Sequence, residues 1–213
     1  MKNIIFLGLI ALFLSCNTKK EKPVNSNMQK KEFVKEIQQF QYELNIHYST
    51  ANESPLTPED LKDFRQLSFF DINEDFKVTA SFIETPDSEV FEMTTTSDRK
   101  PLYRIYGRAS FSIEGKEYTL NLYQNQQFMN TSLYGKSLFL PFTDLTNSVS
   151  SYGGGRYIDV KMPVANATSV VIDFNKAYNP YCAYNIKYSC PIVPSGNNVA
   201  VKIEAGVKRF KDH

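Results

Sequence analysis

The sequence predicts a mainly β chain of the α+β kind, an antiparallel β-sandwich or barrel of about seven strands behind two N-terminal helices. Three observations carry that reading. Apolar residues recur at helical spacing near the start of the chain, the period changes to two after Asp75, and no alternation of strand and helix follows.

From Met28 to Tyr48 the positions Phe33, Ile37, Phe40, Leu44 and His47/Tyr48 form one stripe, with Lys31, Glu32, Lys35 and Glu36 mostly off it. This is an amphipathic helix with one buried face. Its charged face mixes both signs, unlike the lysine-rich face of a helix lying on a membrane. Ser54-Pro55-Leu56 breaks the pattern. Thr57-Pro58-Glu59-Asp60 restarts it with a capping hydroxyl, a proline at the first helical position and two acids in the first turn, predicting a short helix to about Gln66. The same electrostatics account for Glu59 and Asp60 without a catalytic role.

Val78, Ala80 and Phe82 then alternate with polar residues, as do Tyr103, Ile105, Gly107, Ala109, Phe111 and Ile113. Glu114-Gly115 separates that run from Tyr118, Leu120 and Leu122, the pattern of a two-residue hairpin. Further strands are expected at 138–142, 156–161, 169–174 and 198–205, the last with Val199, Val201, Ile203 and Ala205 on one face. Aromatic content is 14% without tryptophan, so tyrosine and phenylalanine must fill most of the core.

Lys2 followed by the apolar run Ile4–Leu14 reads as an export signal over residues 1–15, too short for a spanning helix. Leu14-Ser15-Cys16 is similar to a bacterial lipobox, which makes Cys16 the expected lipidation site and residues 16–27 a polar linker to one β-rich domain over 28–213. The expected location is the bacterial cell envelope. Asn17 is not the aspartate associated with inner-membrane retention, which favours the outer membrane. Without the first 27 residues, 20 basic side chains face 22 acidic ones, a balance with no footprint for nucleic acid. The expected partners are the membrane, through the anchor, and a small ligand or an envelope protein.

Cys182 and Cys190 remain as an even pair, and in an oxidising compartment a disulfide is the first expectation, contributing about 2.5 kcal/mol in the chain-entropy model. Two buried structural thiols are the alternative. His47 and His213 are the only imidazoles, which argues against a Cys–His nucleophile. Two cysteines at this spacing do not make a zinc site. Gly135-Lys136-Ser137 lacks the leading glycine of a phosphate loop, and Phe76 stands where a calcium loop starting at Asp71 needs glycine. No cofactor fingerprint is present.

Two stretches carry the candidate site. Gly153-Gly154-Gly155 before Arg156 could form an anion-binding concavity with Arg156 as a forked donor, or could be a loop whose glycines permit close approach. Asp173 ends the strand Val170–Phe174 with Asn175, Tyr178 and Asn179 just after it, either a polar network closing the sheet or a ligand site. Tyr178, Tyr181, Tyr184 and Tyr188 lie between Pro180 and Pro191 or beside them, in an ordered loop that could stack on a ligand.

The runs GGGRYID, IDFNKAYNPYCAY, YSCP and AGVK resemble the prokaryotic family known as domain of unknown function 1684, over roughly Phe33 to Lys208. Phe142-Thr143-Asp144 belongs to the same pattern. The resemblance brings no mechanism. It implies that Arg156, Asp159, Asp173, Asn175, Tyr178, Asn179 and Cys182 form one constellation. The expected function is binding of a small polar or anionic ligand, or of a partner, by Gly154, Gly155, Arg156, Tyr157, Asp159, Asp173, Asn175, Tyr178, Asn179, Cys182 and Tyr184. A hydrolase using Asp144 or Asp173 with Arg156, and a structural envelope component, are the alternatives.

Overall fold

The computed structural model describes residues 26–129, 131 and 135–211. The expected leader, Cys16 and linker residues 17–25 lie outside them. Helix α1 spans Ser26–Ser49 and helix α2 Pro58–Asp63, where Thr57 Oγ1 accepts the Asp60 amide at 3.1 Å as the cap pattern requires.

Eight strands follow: β1 Lys77–Glu84, β2 Val90–Glu92, β3 Leu102–Ile113, β4 Lys116–Asn125, β5 Ser137–Asp144, β6 Arg156–Lys161, β7 Ser169–Asp173 and β8 Asn198–Val199. They form one mostly antiparallel sheet in the order β6-β5-β4-β3-β1-β7, with β2 added beside β3 and the short β8 parallel to β5. The sheet curls into a half-barrel. Its open side is closed where Tyr178, just beyond β7, pairs with Tyr157 of β6 through two backbone hydrogen bonds of 2.8 and 2.9 Å. The β3–β4 hairpin turns on Glu114 and Gly115, both at positive φ, as its two-residue connection demands.

The inner face holds the main core: Ala109, Phe111, Leu120, Leu122, Leu138, Leu140, Phe142, Ile158, Val160, Ile172 and Phe174 among others. One bulge changes the pattern. Ile105 pairs with Tyr123 but Gly107 with Leu122, so Tyr106 is an extra residue and the alternation reverses there. Tyr103 and Ile105, expected on the face of Ala109 and Phe111, turn outward instead and join Met93, Tyr123 and Phe139 in a second cluster.

The expected strand over 198–205 is also corrected. Val199, Val201, Ile203 and Ala205 are buried as its alternation predicts, yet only Asn198–Val199 forms a ladder. Beyond it, the Val201 carbonyl accepts the Leu145 amide, and those of Ile203 and Ala205 bond to a side chain, that of Arg156.

Candidate functional site

Arg156 opens β6 on the inner face, in phase with Ile158 and Val160, and is fully buried. One guanidinium nitrogen donates to Asp144 Oδ2 at 2.7 Å and to the Ile203 carbonyl at 2.8 Å; the other donates to the Ala205 carbonyl. The Phe142 and Phe70 rings flank it at 5.3 and 5.6 Å. Burial lowers its pKa while Asp144 opposes that shift, and the guanidinium, which proteins do not deprotonate, stays charged. Gly155 makes this entry possible: at φ +89° it passes so near β5 that a Cβ would lie 2.6 Å from the Phe142 carbonyl oxygen. The glycine loop is therefore a close-approach device, and the anion site expected at Gly154, Gly155 and Arg156 is corrected to an interior clasp. Asp144, expected as a catalytic candidate, is the buried partner in that clasp and also accepts the Thr146 amide at 2.7 Å.

Asp173 closes the end of the sheet. Its Oδ1 accepts the backbone amide and side-chain amide of Asn175 at 3.1 and 2.9 Å, while Asn175 exchanges two hydrogen bonds with the Asn73 backbone. Burial raises the Asp173 pKa, with the Asn175 bonds opposing. Asn179 is buried and donates to Tyr184 Oη and to the Lys208 carbonyl, and the Tyr184 ring packs edge-on against Tyr48 at 4.8 Å. These four residues hold loops together. Neither Asp173 nor Asn175 reaches the space described next.

Tyr157, Asp159 and Tyr178 do meet, on the outer face of the same strand. They line a hollow of about 510 Å³ with Phe40 and Leu44 of α1, Tyr103, Asn125, Phe139, Met162 and Cys190. Asp159 lies opposite Phe139 in the β5–β6 ladder. Its carboxylate presents accessible surface yet is surrounded by protein on most sides, which is the signature of a group inside a concavity. It accepts the Tyr178 hydroxyl at 3.1 Å and makes no ion pair among the described residues. Burial raises its pKa and the Tyr178 bond opposes that; Tyr178 in turn is raised well above the usual phenol value, first by burial and then by Asp159. The rings stand at steep angles: Phe139 to Tyr157 at 4.7 Å and 75°, Tyr157 to Tyr178 at 6.0 Å and 89°. Arg99 is at the rim, its guanidinium bonded to the Ser189 carbonyl at 2.8 Å, and it acts on Tyr103 with a sign opposite to that of Asp159.

The cysteines are close but unjoined, so the expected disulfide is absent and the alternative of two thiols is what the structure holds. Cys190 Sγ accepts the Cys182 amide at 3.2 Å. The Cys190 thiol hydrogen bond brings the Cys182 pKa down to about 6, against burial and with help from the Tyr152 and Thr96 hydroxyls, and the same pairing pushes Cys190 up. The pair behaves as one acid that ionises at Cys182.

The family model described as protein of unknown function, DUF1684, matches residues 62–208. The chain belongs to this family. The chain is also similar in fold to the solution structure of an uncharacterised protein from gene locus rrnAC0354 of Haloarcula marismortui. That protein is 29% identical, with 88% of this chain and all of the other covered at a TM-score of 0.69. No curated protein matches the chain significantly. Of the DUF1684 residues singled out in the sequence, Tyr157, Asp159 and Tyr178 converge on the hollow. Tyr103, Phe139, Arg99 and the α1 pair Phe40 and Leu44 are among the lining residues the sequence reading does not assign to a site; Tyr103, Phe40 and Leu44 carried a signal there, but only as members of apolar patterns.

Proposed function

We propose that this protein binds a small organic molecule in the hollow between α1 and the outer face of β5 and β6, while its N-terminal Cys16 tethers it by lipid to the cell envelope, the outer membrane in particular. The observation that carries the binding reading is the hollow itself, where the Asp159 carboxylate stands among aromatic lining residues with the neutral Tyr178 hydroxyl as its hydrogen-bond partner. A concave, largely apolar lining with one carboxylate in it is the make-up of a ligand site. A volume of about 510 Å³ lies within the range of small-molecule sites, and the lining is mainly apolar with a few polar groups, the composition such sites have. The hydrolytic alternative loses its residues, since Asp144 and Arg156 are sealed together and Asp173 is enclosed in its own network.

The test is a fragment screen by ligand-observed NMR on the wild type and on Ser137→Phe, which places a ring in the hollow. Fragments that bind the wild type and are lost from the folded variant support the reading. Fragments bound equally by both would place recognition elsewhere. Cys16→Ala should release the chain from the membrane fraction, and retention there would remove the tether.

A further inference from the structure

Several acids elsewhere on this protein have cationic neighbours: Glu36 pairs with Lys77 and Lys176, Glu92 with Lys100, and Asp60 with Lys211. Asp159, a lining residue of the hollow, has the neutral Tyr178 hydroxyl as its hydrogen-bond partner. The nearby cations are bonded to other groups: Arg99, which lines the hollow, to Ser189, and Arg104 to Gln124 at 2.8 Å. Lys161, two residues further on the same strand face, is exposed and forms no ion pair with it among the described residues. Phe139, Tyr157 and Tyr178 line the hollow with Asp159, Phe139 packed edge to face with Tyr157 and Tyr157 with Tyr178.

A carboxylate in a hollow lined by aromatic residues is an environment that stabilises an organic cation. The ring quadrupoles attract positive charge from the sides while the carboxylate supplies a point of opposite charge, and both grow stronger where water is scarce. We infer that the ligand of this hollow is an organic ammonium ion, its cationic head against Asp159 and its apolar body along Phe40, Leu44 and Met162. The inference rests on the hollow being the ligand site and adds the charge class of the occupant. Tyr178 holds the carboxylate in place by its hydrogen bond and remains a neutral phenol throughout the working pH range. The other titratable groups facing the hollow are Tyr48, Tyr103, Tyr157, Tyr181 and Cys190, with Arg99 at the rim. None of the four tyrosines or the thiol supplies a positive charge, and the one cation that lines the hollow, Arg99, is hydrogen-bonded to Ser189 and forms no ion pair with Asp159 among the described residues.

The experiment uses three near-isosteric probes on the full-length protein: benzylamine as the cation, benzyl alcohol as the neutral donor and benzoate as the anion. Binding is followed through amide shifts along β5 and β6. Benzylamine should bind at least about tenfold more tightly than benzyl alcohol, tenfold being 1.4 kcal/mol, and benzoate more weakly than either. Asp159→Asn, shown folded by its spectrum, should bring benzylamine down to the level of the alcohol while leaving the alcohol unchanged. Benzyltrimethylammonium, which cannot donate a hydrogen bond, should retain the preference over benzyl alcohol. Equal affinity for amine and alcohol, or tighter benzoate binding, overturns the cationic class while leaving the hollow as a ligand site. Failure of all three probes in the millimolar range overturns the hollow and the ammonium ligand together.

Discussion

Asp144 and Asp159 sit on neighbouring strands of one sheet and face opposite ways. On the inner side Asp144 meets Arg156 at 2.7 Å, both side chains completely buried, and the two terminal nitrogens of the arginine also donate to backbone carbonyls of the C-terminal segment. On the outer side Asp159 has a hydroxyl and an opening. The difference teaches which charge is architecture. A buried ion pair whose hydrogen bonds are nearly all made organises chain, whereas a carboxylate in an open hollow with only a neutral hydroxyl beside it can take its counterpart from outside.

The largest effect should come from breaking the inner pair. Arg156→Met leaves Asp144 buried alone and frees the carbonyls of Ile203 and Ala205, so stability should fall by about 3–5 kcal/mol, or roughly 10 °C in Tm. Urea unfolding reads this directly, and adding Asp144→Leu should recover part of the loss. A single variant as stable as the wild type would mean that the arginine clasps nothing. Next, Gly155→Ala should cost about 1–3 kcal/mol, because the residue sits at φ +89° and its new methyl would press on the Phe142 carbonyl.

Removing the outer charge should act in the other direction. Burial raises the folded-state pKa of Asp159 above the unfolded value of about 3.9, so between those two values the folded protein holds a proton that the unfolded chain has lost. Stability therefore falls as pH rises through that window. Asp159→Asn escapes the loss and should be more stable than the wild type near neutrality, by less than about 1 kcal/mol because water reaches the carboxylate. The advantage should vanish below about pH 4. Thermal unfolding at both pH values checks this, and a variant less stable at neutral pH would make Asp159 structural like Asp144.

The smallest effect concerns the cysteines, which lie between the two regions. Cys182 is half-buried and Cys190 buried, so in the native protein iodoacetamide should modify Cys182 first, at a rate that rises through pH about 6 and then levels. Cys190 should react only after unfolding. Mass spectrometry of the labelled protein separates these thiols from a disulfide, which would take up no label.

Much of the fold was legible in local pattern. The change of period, the Thr57 cap and the Glu114-Gly115 turn each appear where the sequence predicts them, because each is decided within a few residues. What escaped depends on long-range partners. The C-terminal apolar alternation is real, yet its carbonyls bond to Arg156 rather than to a strand, which no window around Ile203 contains. Tyr103 is turned outward by a bulge that the unbroken alternation of β3 conceals.

The site was legible only in part. Arg156 and Asp159 are near in sequence, but three residues apart on a strand they must face opposite ways, and the phase shared by Arg156, Ile158 and Val160 already marked the arginine as interior. Asp159 shares its phase with Tyr157, and that pair is what reaches the hollow. Phe40 and Leu44 fit the buried stripe of α1 so well that nothing set them apart as lining.

The most direct measurement is a carbon-13 NMR titration of the Asp159 carboxyl, with and without saturating benzylamine. A midpoint above the usual carboxylate range in the free protein, falling when the cation binds, is the predicted result, since the bound ammonium favours the charged form. A midpoint at the ordinary value that the amine leaves unmoved would contradict an enclosed charge awaiting its partner.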